Sequence, residues 1–124
     1  MEVWVFGNPD VKEDSLPLLL LADLKKKFPQ HVFTRQDPLD EWNMPADRLA
    51  IIDTVKGAKR VTRFEGLDEF ALSPHITLHD YDALSELQLR KKVHGLPALT
   101  IIGVPMDIDR NEAFKQISDL LARL

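Results

Sequence analysis

The chain has 124 residues, a formal net charge of −4 and no cysteine. That length holds one domain, residues 1–124, with a real core and no room for a second. The missing thiols exclude disulfides, a thiol nucleophile, iron–sulfur sites and Cys-rich zinc sites, and the acidic balance argues against a nucleic-acid binder, which shows a basic stripe.

Glu2 to Phe6 is a short β-rich run that reads as a buried strand, stopped by Gly7-Asn8-Pro9. No signal-peptide pattern precedes it, so a cytoplasmic location is expected. Asp14-Ser15-Leu16-Pro17 then opens a helix: Asp or Ser can cap the free amides, and Pro is tolerated in the first turn. Leu16 to Leu24 is the longest apolar run, but with Pro17 and Asp23 inside it is too short and too polar to span a bilayer. Lys25 to Lys27 end the helix where its dipole favours cations, and Pro29 stops it.

His31 to Arg35 reads as a second strand, Asp37-Pro38 as a turn, and Leu39 to Asn43 as one helical turn. Leu49 to Ile52 is the clearest buried strand, closed by Asp53, and Arg60 to Phe64 alternates as a half-buried strand. The link between these two is too short for a parallel crossover, so the fourth strand is expected to run antiparallel at the sheet edge. Glu65 to His79 reads as a long irregular stretch, Asp80 to Lys92 as a helix and Leu99 to Ile102 as a fifth strand ending at Gly103-Val104-Pro105. Asn111 to Leu124 closes the chain as an amphipathic helix. The expected architecture is a three-layer α/β/α domain whose five-stranded, twisted sheet is mostly parallel, with one antiparallel edge strand.

Ligands of such sheets bind beyond the carboxyl ends of the strands. Those ends gather Gly7, Asn8, Asp10, Glu13 and Asp14, then Asp37, then Asp53, then His75, His79, Asp80 and Asp82, with no Lys or Arg expected close by. Taken singly, these residues have plain structural roles: Asp14 a helix cap, the histidines solvated loop residues, Trp4 a core residue. Asp53 is different, because a carboxylate ending an Ile-rich buried strand needs a partner. Together they repel one another unless a cation binds, and carboxylates with an imidazole suit a borderline divalent metal such as nickel or zinc.

In this order the residues resemble the nickel–iron hydrogenase maturation endopeptidases over nearly the whole chain. Three motifs carry the resemblance. A strand leads to Gly7-Asn8, four variable residues and the acidic pair Glu13-Asp14; an apolar strand ends at Asp53; a loop His precedes a helix and a strand ending at Gly103. Leu78-His79-Asp80-Tyr81-Asp82 is similar to the archaeal-type branch, whereas Ser73-Pro74-His75 resembles the Ser-Pro-His of another. The chain also departs from the family. Val5 stands where a second glycine is usual, Ser15-Leu16-Pro17 replaces a Gly-containing turn, and Asp37-Pro38-Leu39-Asp40 replaces Asp-Gly-Gly-Thr.

The resemblance implies a phosphorylase/hydrolase-like fold and an endopeptidase. It would remove the C-terminal extension of a hydrogenase large-subunit precursor once nickel has been inserted. It implies that Asp14, Asp53 and His79 engage that nickel, with His75 the alternative to His79 because its spacing to Gly103 is longer. Gly7, Asn8 and Asp37 would form the substrate loop, and Asp37 is the candidate base. The only metal is the nickel carried by the precursor, with no organic cofactor, no nucleic acid and no membrane partner, and the chain is expected to be a monomer. Three rivals stand beside this reading. One is a non-catalytic nickel- or precursor-binding assembly factor of the same fold. A receiver-like phosphoacceptor domain fits Ile52-Asp53 but lacks a Lys after the fifth strand. A peptidyl-tRNA hydrolase-like enzyme fits Phe6-Gly7-Asn8-Pro9 but lacks the downstream Arg-His-Asn run.

Overall fold

The computed structural model describes residues 1–37, 39–72, 77–78 and 81–124, and the side chains of these residues outside 71–85. In chain order the elements are β1 (Glu2–Val5), α1 (Leu16–Lys27), β2 (Val32–Arg35), β3 (Arg48–Lys56), β4 (Thr62–Glu65), α2 (Gly66–Leu72), β5 (Thr77–Leu78), α3 (Tyr81–Val93), β6 (Ala98–Pro105) and α4 (Arg110–Leu121). A 3-10 turn, Lys12–Asp14, leads into α1.

Five strands lie in the order β2-β1-β3-β6-β4. β1 runs parallel to β2 and β3, and β3 parallel to β6. β4 is the antiparallel edge strand, paired with β6, as the short link from β3 requires. The two-residue β5 adds an antiparallel pairing at the end of β3, where Val55 faces Leu78 and Lys56 faces Thr77.

Side chains alternate across the central strands and build two cores. Val3, Val5, Ala50, Ile52, Ile102 and Val104 pack on α1 and α4 through Leu20, Leu24, Ile117 and Leu121. Trp4, Phe6, Leu49, Ile51 and Ile101 pack on the other face, against Trp42, Phe64, Phe70 and Leu87. Burial on both faces is why these strands read as unbroken apolar runs. α1 starts after Ser15, whose hydroxyl turns back to donate to the Lys12 carbonyl at 2.9 Å instead of capping the helix. In α4 the Asp109 carboxylate does cap, accepting from the Glu112 N–H at 3.1 Å. Among the described residues no helix is long and apolar enough to cross a membrane.

Three expectations need correction. Leu39 to Asn43 forms no helical turn. Trp42 instead plugs the core there, edge-on to Trp4 and Phe6 at 5.7 and 5.6 Å, with its indole N–H donating to the Asp37 carbonyl at 3.0 Å. The stretch after Glu65 is not irregular from 66 to 72: Gly66, at a φ of 85°, turns the chain directly from β4 into α2, which buries Leu67 and Phe70. Asp53 and Gly103 are not strand ends, because β3 and β6 stay paired up to Val55 opposite Pro105.

Candidate functional site at the carboxyl ends of β1 and β3

From β1 the chain crosses to β2 on one side and later returns to β3 on the other. The loops beyond β1 and β3 therefore diverge and leave a crevice at their carboxyl ends. Two buried carboxylates stand there, Asp14 at 3% and Asp53 at 0% exposure.

Asp53 faces Gly103 in register and shares the sheet face of Ile51 and Val55. Its Oδ1 accepts the Thr54 N–H at 2.8 Å. Asp14 is carried by the 3-10 turn, which packs on both α1 and β3. Its N–H donates to the Val11 carbonyl and its own carbonyl accepts the Asn8 N–H, each at 3.0 Å. The turn can sit this close only because Gly7 has no side chain: a Cβ there would stand 2.8 Å from the Asp14 carbonyl oxygen and 3.0 Å from Leu18 Cγ. Gly103 is similarly confined, since its Cβ would meet both γ-carbons of Val55 at 2.9 Å.

Gly7, Asn8 and Asp14 are thus brought together, with Asp53 one strand away. Asp37 stands off to the side, beyond β2, whose line is about 10 Å from that of β3 because β1 lies between. Its exposed carboxylate accepts the Leu39 N–H at 2.9 Å, which locks an Asx turn. His75, His79 and Asp80 lie outside the described residues, as does the side chain of Asp82 in α3. The described segment between the two histidines, Thr77–Leu78, pairs with the end of β3.

The rim is less one-sided in charge than the sequence implied. Lys12 opens the turn that holds Asp14, and Lys56 ends β3; both are exposed at this end of the sheet. The extension of β3 beyond Asp53 is what brings Lys56 here. Asp107 was missed altogether. With Glu13, Val55, Gly57, Ala58 and Met106 it lines an open concavity of about 450 Å³ beside the buried carboxylates. Its position soon after the last strand was the available signal. A second concavity of about 450 Å³ lies at the opposite, amino end of β3 and β6, lined by residues that include Trp42, Arg90 and His94. Its Arg90 already bonds Glu86 at 2.9 Å and covers the Trp42 ring at 5.4 Å, so the carboxyl-end crevice holds the richer chemistry.

Among the described residues no three of Asp, Glu and His come close enough together to hold a metal ion. Asp14 and Asp53 can supply two oxygen ligands of the kind that divalent cations accept.

No family model matches the sequence, and no curated protein matches it as a relative. Among solved structures the chain is similar to the hydrogenase maturating endopeptidase HybD from E. coli, with a TM-score of 0.59 at 15% sequence identity. The likeness covers 99% of this chain and 93% of that one, and at such an identity it establishes a shared α/β fold.

Proposed function

We propose that the chain is an endopeptidase that removes the C-terminal extension of a nickel–iron hydrogenase large-subunit precursor after nickel insertion. The observation that carries this reading is the burial of Asp14 and Asp53 at the crevice between β1 and β3, in a fold shared with a hydrogenase maturating endopeptidase. In this reading the nickel belongs to the substrate. Asp14, Asp53 and His79, or His75 in its place, engage it, while Gly7 and Asn8 form the loop against which the precursor docks.

The ligand types suit that task. Carboxylate and imidazole can complete the coordination of a nickel held by thiolates without competing to extract it, and a chain without cysteine offers no thiolate of its own. Specificity is then a difference in affinity between loaded and empty precursor. The base is Asp37 or a water activated at the nickel. The enzyme needs no organic cofactor and works as a cytoplasmic monomer.

One observation favours a second reading. The Asp37 carboxylate is engaged by the Leu39 N–H, as expected of a structural turn, and this suits a relative that binds the precursor without cutting it. Purified chain incubated with nickel-loaded and nickel-free precursor separates the two. Cleavage of the loaded form alone supports the endopeptidase. Binding of the loaded form without cleavage supports the assembly factor. Neither binding nor cleavage overturns both.

A further inference from the structure

We infer that the side-chain amide nitrogen of Asn8 is the hydrogen-bond donor for the scissile carbonyl oxygen; this rests on the endopeptidase reading and assigns a residue to its chemistry.

Between Asn8 and Val11 the hydrogen bonds leave one donor. The Asn8 N–H is spent on the Asp14 carbonyl at 3.0 Å. Pro9 has no N–H to offer. The Asp10 N–H is spent on Asn8 Oδ1 at 3.0 Å, and the Val11 N–H on the Asn8 carbonyl at 3.2 Å. From Asn8 to Val11 the side-chain NH2 of Asn8 is the remaining donor. Because its amide accepts through Oδ1, the nitrogen must turn the other way. Asn8 is exposed, and among the described residues Nδ2 meets no acceptor.

The surroundings call for such a group. Hydrolysis adds water across the peptide bond. The water oxygen bonds to the carbonyl carbon, the C–N bond breaks with its electron pair going to nitrogen, and the nitrogen takes up a proton. Between these events the carbonyl oxygen carries negative charge. Asp10 and Glu13, exposed beside the loop, repel that charge, and Lys12 and Lys56 stand on long exposed stems. Asn8 is neutral and tied at its backbone to the turn bearing Asp14, so its donor is already placed when charge develops.

Two variants test the assignment. Asn8→Asp keeps the acceptor for the Asp10 N–H and loses the donor. Asn8→Ser keeps a short neutral acceptor and withdraws the donor from reach. Single-turnover cleavage of nickel-loaded large-subunit precursor should fall about 10²–10³-fold in both, as expected for loss of one such donor. The thermal midpoint should stay as in the wild type, and the affinity for the precursor should fall far less than the cleavage rate. Cleavage by either variant at the wild-type rate overturns the assignment while leaving the endopeptidase reading intact. So does a loss of rate matched by an equal loss of precursor binding. A wild type that binds the loaded precursor and never cuts it overturns the endopeptidase reading, and the assignment falls with it.

Discussion

A Cβ at Gly7 would stand 2.8 Å from the carbonyl oxygen of Asp14, the same oxygen that accepts the Asn8 N–H at 3.0 Å. Glycine is needed here for close approach, because the Asp14 turn lies directly on the end of β1. Gly7→Ala must push that turn away or bend the strand, and overpacking of this kind costs about 1–3 kcal/mol. The urea midpoint should fall by a corresponding amount, with an unchanged slope. A variant as stable as the wild type would show that the turn yields freely and that Asp14 is not held by this contact.

Asp53→Asn preserves volume and an oxygen for the Thr54 N–H while removing the charge. A cooperative melt should survive. Cleavage of nickel-loaded precursor should fall about a hundredfold or more, because charge stabilisation worth several kcal/mol is lost. Asp14→Asn should behave alike. Wild-type rates in either variant would remove that carboxylate from the proposed site.

His31 supplies the pH dependence. It is 8% exposed, beside Phe28 and Phe33, with its Nδ1 3.3 Å from the Met1 ammonium. Burial first, then the neighbouring ammonium, holds its pKa below the ordinary 6.5, with the Leu121 carbonyl pulling the other way. The unfolded chain therefore binds the proton more readily. Stability from this site is fully present above about pH 6.5 and is lost as the pH falls through the lower folded-state value. Urea midpoints measured from pH 7 to pH 5 should decline more in the wild type than in His31→Phe. Parallel declines would show that His31 is not the group responsible.

Local signals were legible where local forces decide. Pro17 and the three lysines mark both ends of α1, and the short link after β3 dictates an antiparallel β4. The signals failed where a partner decides. β3 and β6 run past Asp53 and Gly103 because each supplies the other's hydrogen bonds. Trp42 fills with one side chain the space in which a helical turn was expected, because Trp4 and Phe6 beneath it leave a gap of that shape. α2 was hidden because its seven residues begin on a glycine that reads as a break.

The candidate site divides in the same way. The absence of cysteine excludes any thiolate contact to a metal, and the β-branched apolar runs around Ile52 and Ile101 read as buried strands; composition and pattern determine both. The strand order 2-1-3-6-4 and the burial of Asp14 and Asp53 at one crevice are decided by the tertiary structure alone. Strand pairing sets the level of Asp53 against Gly103, fifty residues further along the chain, and the missing side chain at Gly7 lets the Asp14 turn close over β1. Both are contacts between segments that no local pattern links, so their geometry exists only once the sheet has formed.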